Sequence, residues 1–465
     1  MADKKTYDLT SGRILDKLIV ISLPIVATQV VQMLYNLSDM FWLGRIGSGP
    51  VAASGIVGMY MWLSVSFFMP GRMGGEIGVS QNLGRGDRQT AGRFGQSAVQ
   101  IALTLGISYC LVMLLFTKQL IGFFGVKEAL VFEDARRYLR IVACGVPFTF
   151  FSAAATGIYN GSGNSRIPFI INAAGLVLNM IFDPILIITL KLGIVGGGYS
   201  TIGGQILVAI SLGLFLRFHK SSPFRRFRFF NKPDIEKIKR IFKWAIPTVI
   251  ENFLFCFLSM FISRLVTSYG AYALAAQRVG GQIDSLSWLI AGGFCTAYTS
   301  FTGQNYGAKR LDRIRESFKI ATAAMIVWGI VVFVVLFFLG RYLIGAFLPG
   351  EYVAIEIGTL YMKIISVCEI FACLEGIASG AFRGRGKTLP PAIISITVNT
   401  LRVIAAYILS KTALGLSGVF VAISGGMMIR GSITYIYYAV YARKTANKPI
   451  DLPDSSSEQI IFFQD

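Results

Sequence analysis

Twelve apolar stretches, separated by short polar or basic runs, organise the chain. They lie near 14–43, 51–80, 94–117, 138–159, 168–190, 194–216, 244–268, 272–302, 320–340, 357–382, 389–410 and 416–441. Each is long enough for a helix to cross about 30 Å of hydrocarbon. A backbone in lipid must satisfy its own hydrogen bonds, so helices are the expected element. The pattern predicts an all-α polytopic membrane protein with twelve transmembrane helices.

Composition agrees with that pattern. Hydrophobic residues make up 54% of the chain and charged residues 15%. Mean hydropathy is +0.62. A soluble domain carries about 25% charged residues, so an ordinary soluble enzyme, a disordered protein and a fibrous protein are excluded. The 50 glycines suit close helix packing in a bilayer. The six cysteines, Cys110, Cys144, Cys256, Cys295, Cys368 and Cys373, all fall in apolar stretches and are expected as buried reduced thiols.

The net charge of +20 changes the picture only through its placement. Lys and Arg favour the loops on the side of the two termini roughly threefold, which predicts cytoplasmic termini in a bacterial or archaeal cytoplasmic membrane. The richest loop, Arg217 to Lys243, includes Arg225, Arg226 and Arg228 and suits anionic lipid head groups better than nucleic acid. No cleavable signal peptide is expected, because the first apolar run is too long. The tail 451–465 reads as polar at first and mobile.

An internal repeat is present at an offset of 223 residues. Pro24 pairs with Pro247, Gly47 with Gly270, and Gln81-Asn82-Leu83-Gly84 with Gln304-Asn305-Tyr306-Gly307. Tyr138 pairs with Tyr361, Gly161 with Gly384, and Pro168 with Pro391. Each half holds six spans, an even number, so the two repeats enter the membrane in the same orientation. The expected organisation is a six-helix lobe (1–220), a linker (221–243), a second six-helix lobe (244–450) and the tail. Two such lobes leave a cleft between them, which suits alternating access.

Several segments carry a family resemblance. They are Tyr35-Asn36-Leu37-Ser38-Asp39-Met40-Phe41-Trp42-Leu43-Gly44, the QNxG turns, and Asn160-Gly161-Ser162-Gly163 with its counterpart Arg383-Gly384-Arg385-Gly386. Asn179-Met180-Ile181-Phe182-Asp183-Pro184 completes the set. From about Leu15 to Arg443 the chain resembles the multidrug and toxic compound extrusion (MATE) transporters. That resemblance implies a V-shaped pair of six-helix lobes, the cleft between them, and cation-driven export. One branch of the family uses an acid eight residues after the proline of the seventh span and another in the tenth. Those positions are Phe255 and Ala372 here. The chain is more similar to the DNA-damage-inducible (DinF) branch, which implies an ion site in the amino-terminal lobe.

Seven acids fall within spans: Asp39, Glu76, Asp183, Glu251, Asp284, Glu369 and Glu375. A carboxylate at the centre of a membrane helix costs about 2.5–3.5 kcal/mol on insertion scales, so each needs a partner, a proton or water. Asp39 has Tyr35 one turn earlier on the same face, with Asn36 beside it. These groups make it a candidate proton carrier; the alternative is a solvated carboxylate near a helix end. Asp183 follows Asn179 by one turn and precedes Pro184, which removes a backbone donor and frees a carbonyl. That combination suits a proton or a small cation; the alternative is a capped structural kink. By the resemblance, Thr201 supplies a hydroxyl to the same site. At the repeat offset Asp39 falls on Ile262, Asp183 on Ala406 and Asn179 on Arg402, so only the first lobe carries this set.

Candidates for the substrate cleft are Arg402, Asn399, Glu251, Asp284, Trp288 and Tyr159, with packing as the competing role for each. Asp284 with Arg278 and Gln282, and Glu369 with Glu375, are candidate contacts or packed pairs. Arg72 and Glu76, four apart, read as an internal salt bridge. The sole histidine, His219, lies in a basic loop, so no metal site is expected. The combined reading is a monomeric antiporter without cofactor, exporting amphipathic cationic compounds against protons, or less readily sodium. A lipid-linked precursor flippase using Arg72, Arg264, Arg278 and Arg402 is the alternative. A membrane enzyme lacks a nucleophile and base, and a channel lacks a filter.

Overall fold

In a computed structural model of the chain, residues 8–125, 128–218, 222–224, 227–229 and 232–445 are described. His219, Arg225, Arg226 and the tail 451–465 lie outside them. The first repeat contains α1 (Ile14–Ile46), α2 (Ser48–Met73), α3 (Arg88–Leu115), α4 (Ala129–Gly161), α5 (Arg166–Pro184) and α6 (Gly193–Phe218). The second contains α7 (Ile235–Thr267), α8 (Ala271–Gly307), α9 (Leu311–Phe347), α10, α11 (Leu389–Ser410) and α12 (Gly415–Lys444). α10 is a bent pair, Tyr352–Ser366 and Glu369–Gly384, meeting at 46°. α2 runs on through a π-helical turn, Gly74–Val79, into a last α-helical turn, Ser80–Gly84.

Among the described residues ten helices are long and apolar enough to cross a bilayer, or eleven with the bent pair counted as one. α8 is the expected span that does not reach that hydropathy. Its 37 residues are ample in length, but Arg278, Gln282 and Asp284 interrupt the apolar run. Its place is that of α2 in the first repeat, packed against α1, α9 and α10.

The repeat is visible in the packing. α1 lies on α5 as α7 lies on α11, and α2 lies on α4 as α8 lies on α10. The last two contacts use the same device. A Cβ on Gly157 or Gly161 would sit 2.3 Å from the Arg72 carbonyl oxygen or 2.5 Å from that of Gly75. At the paired positions a Cβ on Gly380 or Gly384 would sit 2.7 Å from the Cys295 oxygen or 2.6 Å from that of Thr299. Each repeat thus brings two backbones together through a small-xxx-small pair, the packing that replaces the hydrophobic effect in lipid.

The two lobes are clasped at one end. Leu9, Ile14, Leu18, Ile21 and Ile25 at the start of the chain are buried against Tyr298, Phe301 and Phe382 of the second lobe. Reciprocally, Ile241 and Trp244 of α7 are buried against Met73, Ile77 and Phe94 of the first. Hydrogen bonds between the lobes gather at this end, including Arg72 Nη2 to Thr296 Oγ1 at 3.2 Å. The lobes diverge from there into a V-shaped cleft. Cys295, Cys368 and Cys373 are buried, but Cys110 and Cys256 are half-buried and Cys144 is exposed. The expectation that all six thiols are buried therefore fails for the outward faces of their helices.

Candidate functional site

Pro184 sets the local geometry of the first-lobe site. It has no N–H to donate, so the α-helical ladder opens there. The chain continues as a π-helical turn, Ile185–Thr189, with Leu190 N–H donating to the Ile185 carbonyl at 2.8 Å. Such turns interrupt helices most often at functional sites. Asp183 stands directly before this break with 0% exposure, and Asn179 one turn earlier is 3% exposed.

α6 and α1 close the site. Ser200 Oγ, beside Asp183, donates to the Asn179 carbonyl at 3.0 Å. Thr201 Oγ1 donates to the Gly197 carbonyl at 2.9 Å and lies 3.3 Å from the Tyr35 hydroxyl. Gly197 stands beside Asp39: a Cβ there would lie in ordinary contact, 3.8 Å from Asp39 Oδ1. Asp39 also lies in the field of Asp183.

The polar atoms of this group lack partners. Asp39 Oδ1, both carboxylate oxygens of Asp183 and both amide atoms of Asn179 are buried with no hydrogen bond. No lysine or arginine among the described residues acts on either acid. Buried polar groups are ordinarily satisfied, and exceptions mark functional sites. The unmet need here is for protons or a cation. An arrangement of carboxylates, an amide and hydroxyls can hold either.

Five of the six predicted members, Asp39, Asp183, Asn179, Tyr35 and Thr201, come together. Asn36 does not. It is exposed and accepts from Gln32 Nε2 at 3.5 Å along the outer face of α1. Sequence reasoning missed Tyr138 of α4, which is buried and faces Asp39, Asp183 and Thr201. The available signal was its match to Tyr361 in the repeat.

The predicted cleft residues divide. Tyr159 has 0% exposure in the first-lobe core, so it does not line the cleft. Arg72 is tied to Glu76 at 2.8 Å as well as to Thr296 of the other lobe. Asn399 Nδ2 donates to Ser395 Oγ at 3.1 Å. Arg402 is buried within the second lobe, its guanidinium over the Phe255 ring at 5.5 Å. Arg264 and Arg278 are exposed. Glu251 is half-buried and lies in the fields of Arg383 and Glu375. Glu375 pairs with Arg430 at 2.7 Å, and Arg430 stands over the Trp288 ring at 5.7 Å. Glu369 is therefore not the partner of Glu375. It meets Asp284 and Ser287 of α8 instead, from the first position of the second segment of α10.

Two six-helix repeats clasped at one end, with orphaned carboxyl oxygens buried inside the lobes, define a two-lobed membrane transporter. The family described as MatE matches residues 24–185 and 247–408, two blocks at the repeat offset, and the chain belongs to that family. Over 432 residues it is 26% identical to the probable multidrug resistance protein NorM of Thermotoga maritima, covering 91% of each chain. A solved structure of MATE in complex with MaL6 superposes with a TM-score of 0.90 at 22% identity, covering 96% of this chain and 100% of that one. A MOP superfamily transporter from Pyrococcus furiosus, described as having a binding pocket of reversed polarity, gives 0.89 at 22% identity, covering 96% and 100%. The protein is a multi-pass membrane protein.

Proposed function

We propose that the protein is a secondary active antiporter of a bacterial or archaeal cytoplasmic membrane, with both termini cytoplasmic. It exports amphipathic, cationic small molecules as protons enter. The observation that carries this reading is the pair of half-buried Asp39 and buried Asp183 beside Asn179, with Asp39 Oδ1 and both Asp183 oxygens buried and without a donor. The absence of acids at Phe255 and Ala372 supports a place in the DinF branch.

The mechanism follows from charge. A proton arriving from outside forms an O–H bond on a carboxylate oxygen of Asp39 or Asp183 and cancels one negative charge. Burial disfavours the charged form, so protonation permits tighter packing of α1 on α5 and α6. Closure of the first lobe around neutral acids shrinks the cavity and releases substrate outward. Loss of the proton to the inside restores the charge and the open lobe. Differential stabilisation of two states by one bound proton is what coupling requires. Sodium, held by the same oxygens, is the second ion to test, since carboxylates, an amide carbonyl and hydroxyls are suitable hard ligands.

The test is dye efflux from vesicles containing the purified protein, with proton and sodium gradients imposed separately. Efflux driven by a proton gradient alone, abolished in Asp39→Asn with folding intact, is the expected result. Normal gradient-driven efflux by Asp39→Asn overturns the proposal. Drive by sodium alone keeps the site and changes its ion. Failure to move any cationic dye shifts the next trial to labelled lipid-linked precursors.

A further inference from the structure

The second lobe contains an acid pair that the first-lobe mechanism does not use. Asp284 of α8 and Glu369 of α10 bring their carboxyl groups against each other. Glu369 is 1% exposed, while Asp284 is half-buried. Ser287 Oγ donates to Glu369 Oε2. Taken as two carboxylates, the pair leaves Asp284 Oδ1 and Glu369 Oε1 buried with no donor. Two carboxylates in contact cannot hydrogen-bond without a proton between them. One shared proton supplies the missing donor and removes the repulsion, as in other carboxyl dyads.

The groups around the pair do not provide a cation instead. On its own helices stand Trp288, Tyr361, Cys368 and Cys373, which face one or both acids. Arg402 from α11 faces Tyr361 and Cys368 rather than the carboxyls. From α12, Ser424 is bonded to the Ile364 carbonyl, and Arg430 is occupied by Glu375. No salt bridge among the described residues reaches Asp284 or Glu369.

The repeat gives this pair a context. Tyr138 and Tyr361 occupy matched positions, and each faces the acid pair of its own lobe. Yet the acids do not match: Asp284 and Glu369 correspond to Met61 and Val146, and Asp39 and Asp183 to Ile262 and Ala406. The same tyrosine position therefore serves two different carboxyl pairs, one on α1 and α5, the other on α8 and α10.

We propose that Asp284 and Glu369 form a second proton-binding site, in the carboxy-terminal lobe, which holds one proton between them and takes up another during the transport cycle. In the first state an O–H on one carboxyl donates to the other's carboxylate oxygen, for a net charge of −1. Hydronium reaching the half-exposed Asp284 transfers a proton to the remaining carboxylate, leaving water and two neutral acids. The reverse step returns the proton to water. Ser287, already donating to Glu369, orients that carboxyl.

The experiment counts protons taken up by the full-length protein in detergent after a jump from mildly alkaline to mildly acidic buffer, with an indicator dye. The infrared carbonyl band of neutral carboxylic acid is recorded in parallel. Asp284→Asn/Glu369→Gln is expected to take up one proton fewer than wild type and to lose the band seen at the alkaline end. Asp39→Asn/Asp183→Asn is expected to retain that band. This separates failure of the second site from failure of the first. Unchanged proton uptake and an unchanged band in the Asp284/Glu369 variant overturn the proposal. If that double variant does not fold, Glu369→Gln alone, which keeps an acceptor for Ser287, is read by the band: the lone Asp284 still takes up one proton, but the carbonyl band at the alkaline end is lost, and a retained band overturns the proposal.

Discussion

Gln81 and Gln304 bind each other's lobes in mirror fashion. Gln81 Nε2 donates to the Gly384 carbonyl at 2.9 Å, and Gln304 Nε2 to the Gly161 carbonyl at 3.0 Å. All four positions are pairs at the repeat offset, so one motif, used twice, builds a two-fold clasp. A buried neutral hydrogen bond contributes about 1 kcal/mol net. Gln304 Oε1 also accepts from the Leu9 N–H at 3.0 Å, so Gln81→Ala/Gln304→Ala should shift the clasped-to-open balance by about 3 kcal/mol, on the order of 100-fold. Spin labels at the exposed, repeat-matched positions Gln89 and Asp312 are expected to show a longer-distance population. An unchanged distance distribution would show that the glutamines do not hold the lobes.

Gly84 and Gly307 make the same clasp possible. A Cβ on Gly84 would lie 1.9 Å from the Gln304 carbonyl oxygen, and one on Gly307 equally close to that of Gln81. Both obstacles are backbone atoms, so no side chain can turn away. Gly84→Ala is expected to separate the lobes further than the glutamine variant does and to impair export. The same label pair measures the first effect and vesicle efflux the second.

Much of this architecture was legible in the chain. The apolar runs located the helices, and the QNxG and glycine matches located the repeat, because both are patterns along one axis. The first-lobe acids were legible because Asn179, Asp183 and Pro184 lie within one turn and a half. The Asp284–Glu369 contact was not. It depends on how α8 and the bent α10 rotate against each other, which no local spacing encodes. Tyr159 failed for a related reason: helical period places an aromatic on a face, but tertiary packing decides whether that face meets core or cleft. Asn36 is only three residues from Asp39, yet its side chain is exposed and engages Gln32, because spacing along a helix does not fix which flank of the face meets the neighbouring helices.

Asn179 offers a test of whether its site is kept for function at the expense of stability. Its amide is buried with no hydrogen bond at either atom. An orphaned buried polar group costs about 1–3 kcal/mol, and an apolar residue of similar size removes that cost. Asn179→Leu should raise the thermal midpoint in detergent while reducing gradient-driven export. A fall in both would make Asn179 a packing residue.

Lys309 carries a cost inherited from the repeat. Its φ is 59°, at the position matched by Gly86 with φ 81°. The left-handed conformation costs an ordinary residue about 1–2 kcal/mol. Lys309→Gly relieves this but loosens the unfolded chain by roughly 0.5–1 kcal/mol. A net gain of about 0.5–1 kcal/mol is expected. Thermal unfolding of Lys309→Gly beside Gly86→Lys, which should be destabilised, checks the sign.

Asp234 gives a pH dependence that can be assigned to one group. It caps α7: Oδ1 accepts from the Lys237 N–H at 3.2 Å and Oδ2 from Lys237 Nζ at 2.6 Å. Burial alone would push this carboxyl up. The side-chain and backbone bonds from Lys237, its charge and that of Arg93 outweigh burial and hold it below the usual carboxylate range. A lowered folded value means that the stabilisation is complete above the unfolded value, about 3.9. It is lost as pH falls through the folded value. Removing the cap by Asp234→Ala should cost about 0.5–2 kcal/mol near neutral pH. The gap between the wild-type and Asp234→Ala melting curves should hold constant from neutral pH down to about 5 and then close with further acid. Asp234→Asn, which keeps the cap acceptor without the charge, should fall between them and show no such closure relative to Asp234→Ala. A gap that widens in acid would mean that the carboxyl is raised on folding, against the geometry of the cap.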